Sequence, residues 1–141
     1  MQLDPIIQKK VDEYVDESYE YFKKENYMET FKLMDKAWDT IPLPKENYFE
    51  SFNIAKYIFE YNLKLLRFDD AEKWLKEIKK VQAKYSDSWD AGQVEFLEGK
   101  FYFEKNELDK AKELFIVAMR NSEGKQFSGE PKKYVDLLKK K

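Results

Sequence analysis

Apolar residues recur along this chain at intervals of three and four, the spacing that lines one face of an α-helix, and clear alternation of strand type is missing. Phe31, Met34, Ala37 and Trp38 form one such stripe, Leu75, Ile78 and Val81 a second, and Tyr134, Leu137 and Leu138 a third. Breakers between stripes divide the chain. Asp4-Pro5 reads as a helix start, with Asp4 as the cap and Pro5 at the first helical position, where a missing N–H does no harm. The first helix is expected to run to about Lys24, where "KEN" breaks it, and the second from about Tyr27 to "TIPLP", where proline cannot continue the ladder. A third is expected from Lys45 to Leu66 and a fourth from Asp69 to Tyr85. The fifth is expected from about Asp87, capped within "SDSWD", to Lys105, with Gly92 and Gly99 on one close-packed face, and the sixth from Leu108 to Asn121. After the turn-rich "SEGKQFSGEP", the segment "PKKYVDLLKK" reads as a capping helix over about 130–141. These elements predict an all-α chain forming a single domain over 1–141.

Three stretches of this pattern are rewordings of one another: "FKKENYMETFKLM" from Phe22, "LKLLRFDDAEKWL" from Leu63 and "FEKNELDKAKELF" from Phe103. Their sixth residues are Tyr27, Phe68 and Leu108, their ninth Thr30, Ala71 and Ala111, and their last Met34, Leu75 and Phe115; Ala37, Ile78 and Ala118 follow three residues on. Thr30 to Ala71 is 41 residues and Ala71 to Ala111 is 40, the regular interval of an array. Small residues let two helices approach while large ones fill the groove between them.

These residues resemble the tetratricopeptide repeat family, a helix-turn-helix array. The third unit matches it best, with Gly99, Tyr102, Ala111, Phe115 and Ala118, and Pro42 stands where the family's helix-ending proline falls. Phe59, Asn62 and Ile78 depart from the pattern in the second unit, as do Ser18, Tyr21 and Thr30 in the first, and the interval exceeds the usual length of about 34. The resemblance spans roughly residues 11–123, as units of about 11–43, 52–85 and 92–123. It implies a right-handed solenoid of about three antiparallel helical hairpins, TPR-like, plus the C-terminal capping helix.

Composition narrows the function. At 141 residues the chain can bury roughly 70% of its unfolded surface, enough for a core without staples. Cysteine and histidine are both absent, which removes disulfides, thiolate and imidazole metal sites, and the commonest general base. Aromatic residues reach 17% and only four glycines and four prolines interrupt them, as in a folded chain. Charged residues make up 38%, yet the net charge is −2, so no basic field draws nucleic acid. The start of the chain lacks the apolar run of a secretory signal, and nothing spans a membrane; a cytoplasmic location is expected. No cofactor is implied. Carboxylate pairs such as Glu95 with Glu98, or Asp12 with Asp16, share a helical face and carry the least favoured reading, a carboxylate-dependent hydrolase.

The resemblance implies that the first helix of each pair lines a concave groove, and it selects Asp12, Tyr19, Asn53, Lys56, Glu60, Gln93 and Lys100 as partner-binding candidates. Those helices are rich in rings, and "FYF" at 101–103 spreads over more than one helical face, leaving a surplus for binding. Mixed polar and aromatic groups suit a peptide or helix of a partner protein, held without catalysis. The other reading is a small stoichiometric inhibitor or immunity protein that occludes a toxin or enzyme, motivated by the chain's length and its acidic first helix. Oligomeric state is left open by the sequence.

Overall fold

Asp4 accepts the Ile6 N–H at 2.9 Å and Pro5 opens the first helix, so the start of the chain is built as its two residue types dictate. The computed structural model describes residues 2–84 and 91–140, and every regular element among them is helical. In order they are α1 (Pro5–Lys23), α2 (Tyr27–Thr40), α3 (Phe49–Lys64), α4 (Phe68–Lys84), α5 (Gln93–Glu104), α6 (Leu108–Ser122) and α7 (Lys132–Leu137). Two single 3₁₀ turns, Lys45–Asn47 and Lys125–Phe127, precede α3 and α7. The chain is all-α among these residues, and its helices pack as the hairpins α1/α2, α3/α4 and α5/α6.

The three hairpins turn in the same way. Glu25, Leu66 and Asn106 each adopt positive φ, at 61°, 58° and 66°, although none is glycine. The following N–H, of Asn26, Arg67 or Glu107, reaches back at 2.9 Å to the carbonyl of Tyr21, Asn62 or Tyr102. This pairing closes a helix end by satisfying a carbonyl that has no partner within the helix. The carbonyls of Asn26, Arg67 and Glu107 then accept from Thr30, Ala71 and Ala111, starting the next helix. Those three small residues are fully buried, as the expected close approach requires. Thr30 carries a hydroxyl where the other pairs have none, and its Oγ1 donates to the carbonyls of Asn26 at 3.0 Å and Ser18 at 3.3 Å.

Ring contacts join neighbouring hairpins. Phe22 packs on Tyr61 with centroids 4.6 Å apart, Trp38 meets Trp74 edge-on at 5.0 Å, and Phe101 lies against Phe59 and Phe68. One core runs from α1 to α5, built on Val11, Met34, Ile58, Phe59, Leu75 and Ile78. A second gathers Phe96, Ala111, Phe115 and Ala118 beneath Tyr134 and Leu137 of α7. The C-terminal helix therefore completes a core of its own, and it is shorter than the expected 130–141.

Two expectations are corrected. Lys45 does not begin the third helix: its ammonium donates to the carbonyls of Trp38 and Ile41 at 2.6 and 2.7 Å, closing the end of α2, so α3 starts at Phe49. Gly92 is not on the fifth helix but just before it, at φ +85°, where a Cβ would stand 2.8 Å from the Ala118 carbonyl oxygen. Gly99 is on α5, and a Cβ there would stand 2.5 Å from the Phe115 ring. The expected end of the fourth helix at Tyr85, the "SDSWD" cap and the start at Asp87 lie outside the described residues.

Candidate functional site

The helices that carry the candidate residues touch in series. Phe22 of α1 meets Tyr61 of α3, the Lys64 ammonium lies 5.7 Å from the centre of the Phe22 ring, and Lys100 of α5 reaches Glu60 of α3. At the α1 edge Asp12 is exposed and accepts from Gln8 Nε2 at 2.9 Å, while Tyr19 is 52% exposed with the Lys23 ammonium above its ring. Asn53 is half-buried and donates to Glu50 at 3.3 Å, and the Lys56 ammonium lies over Tyr57. Lys56, Glu60, Gln93 and Lys100 line one cleft of about 200 Å³ with Phe96, Leu97 and residues of the 125–130 segment. Four of the seven candidates are thus brought together; Asp12, Tyr19 and Asn53 do not line that cleft.

Lys100 is not the free cation that a groove position implies. Its side chain is only 9% exposed, and its ammonium pairs with Glu60 at 3.2 Å and Glu130 at 3.1 Å, above the ring of Phe96. Pairing both carboxylates with one ammonium keeps a buried charge compensated. Glu130 comes from the turn-rich segment after α6, where no periodic signal marks a residue as facing the helices. Beyond it lies a larger cleft of about 500 Å³, lined by Leu63, Leu66, Glu104, Pro131 and Tyr134 among others. The Tyr134 hydroxyl donates to Glu104 at 2.9 Å, and Lys133 pairs with the same carboxylate at 2.7 Å. Burial first, and then the bond to Glu104, push the Tyr134 phenol well above its ordinary value.

Two further residues of this face escape a spacing argument. Burial raises the Glu50 carboxyl, and the charge of Asp12 adds to it, against the amide donors of Asn53 and Gln8. Tyr57 is raised by burial and by the carboxylates of Glu50, Glu60, Asp12 and Asp16. Tyr57 directly follows Lys56, yet the groove register passes over it because neighbours on a helix diverge by about 100°.

The ring surplus at 101–103 is also corrected. Phe101 is buried against Phe59 and Phe68, whereas Phe103 turns the other way, onto Phe115 and Tyr134. Helix α5 lies between the two cores, so more than one of its faces is covered. Of the acidic pairs, Glu98 is held by Lys79. Among the described residues no group of three or more potential ligands is placed to hold a metal, and no helix is long and apolar enough to cross a membrane. No family model, curated protein or solved structure matches the chain.

Proposed function

We propose that the three hairpins stack as a tetratricopeptide-like solenoid and that the surface shared by α1, α3 and α5 binds a segment of a partner protein without catalysis. The observation that carries this reading is the cleft between α3 and α5. Lys56, Glu60 and Gln93 present polar groups there on two successive odd-numbered helices, and Tyr19 of α1 is an exposed ring. Such anchors, a ring and polar heads on rigid helices, suit an extended or helical ligand. The repeated turns at Glu25, Leu66 and Asn106 support the array, because each sets the same exit from one helix into the next.

The test is affinity capture from native lysate with the wild-type chain and with Tyr19→Ala, Lys56→Ala and Gln93→Ala combined. Lys100 is left untouched because its removal would strand Glu60 and Glu130. Each change is expected to cost on the order of 1–2 kcal/mol, so together they weaken binding roughly a hundredfold or more while melting is preserved. Undiminished capture would remove the binding surface from this face. A single tight 1:1 partner whose own activity is blocked would identify the stoichiometric inhibitor.

A further inference from the structure

The ammonium of Lys100 is shared by two carboxylates that differ in what holds them. Glu60 stands on the sixteen-residue helix α3. Glu130 stands on the arch 128–131, between a ring anchor on each side: Phe127, 4.8 Å from Phe96, and Tyr134, 6.0 Å from the same ring. Within the arch, the N–H groups of Ser128 and Glu130 bond, among the described residues, to carbonyls three residues back, and the position of a Cβ on Gly129 has nothing within 4 Å. Among the described residues, the polar tie from the middle of the arch to the helices is the Glu130 carboxylate on Lys100.

That tie is shared by two clefts. Glu60, Lys100 and Glu130 line both clefts, the one of about 500 Å³ and the one of about 200 Å³. Without Glu130, the smaller cleft would set Lys56, Lys100 and Lys125 against Glu60 alone, a larger surplus of positive charge. Exchanging one carboxylate for another at Lys100 leaves no buried charge unpaired, so the step avoids the largest electrostatic penalty of opening.

We propose that residues 128–131 are a strap latched by Glu130 on Lys100. The inference rests on the groove reading above. A partner segment opens the strap by presenting an acidic side chain of its own to Lys100, with a neighbouring apolar side chain entering the larger cleft beside Leu63, Leu66 and Pro131. Glu130 is thus a competitor carried in the same chain, and it lowers apparent affinity by the fraction of molecules in which the strap is closed.

The test uses the full chain, its variants E130Q and K100M, and two capped peptides, Ala-Leu-Glu-Leu-Ala and the same peptide with Gln in place of Glu. Amide exchange at Ser128 and Glu130 should quicken about tenfold in both variants, with α5 and α6 unchanged in E130Q, which keeps Lys100 paired with Glu60. The Glu peptide should bind E130Q about tenfold more tightly than wild type and lose binding to K100M, while the Gln peptide gains nothing. Unchanged exchange at the two amides, or equal affinity for the two peptides, would overturn the strap. So would exchange that quickens throughout α5 and α6 in E130Q, because the Glu130 ion pair would then belong to the core. Failure of the groove reading shows elsewhere, as partner capture that survives the changes at Tyr19, Lys56 and Gln93.

Discussion

Single residues set how closely the hairpins can approach and how they turn. Gly99 has no room for a side chain, since the Phe115 ring that faces it is itself fully buried between α5 and the second core. Gly99→Leu is expected to cost about 3 kcal/mol, the upper part of the range for overpacking, measured as a lower denaturation midpoint. An unchanged midpoint would mean that the helices separate at no cost. Glu25 makes the opposite case. It holds φ at 61° with a β-carbon that disfavours this region, so Glu25→Gly should stabilise the fold by about 0.5–1 kcal/mol. Asn106→Gly should gain less, because asparagine tolerates the same conformation. A loss of stability in Glu25→Gly would show that the side chain contributes more than its backbone strain.

At the level of elements, the intervals of 41 and 40 residues seen in Thr30, Ala71 and Ala111 reappear in the turns at Glu25, Leu66 and Asn106. The repeat was legible because burial of small and large residues writes itself into periodicity. The turns were not, because glycine is the usual mark of positive φ and none of these positions carries it. Lys45 reads into the third helix because lysine loses little rotamer freedom in a helix; only the path of "TIPLP" brings its ammonium onto the carbonyls of α2. The C-terminal helix was legible from Tyr134, Leu137 and Leu138, but not the bond from Tyr134 to Glu104, 30 residues earlier. Tyr134→Phe is expected to cost about 1–2 kcal/mol. Because the folded phenol lies above its ordinary value of 10.0, its contribution is complete below that pH and is lost as pH rises above it. Urea titrations at pH 8 and pH 11 should therefore differ less in Tyr134→Phe than in wild type, and an equal difference would show that the phenol proton does not contribute to folding.

Across the whole molecule, two cores meet at α5, and this junction explains both what the candidate face offers and what it withholds. Phe101 and Phe103 are used up on opposite sides of the helix. Lys100 is bound by carboxylates 40 residues before and 30 after it, a pairing that no local pattern encodes. Tyr19 is exposed and Lys56 and Gln93 are half-exposed, and it is the family resemblance, not a local pattern, that points to them. The most direct measurement of the central claim places a photo-crosslinking amino acid at position 53 or 93 on the odd-numbered helices, and at 36 or 76 on α2 and α4 as controls, in cells that contain the native partner. The account predicts one partner adduct from positions 53 and 93 and none from 36 and 76. Adducts confined to 36 and 76 would contradict it and move binding to the opposite surface.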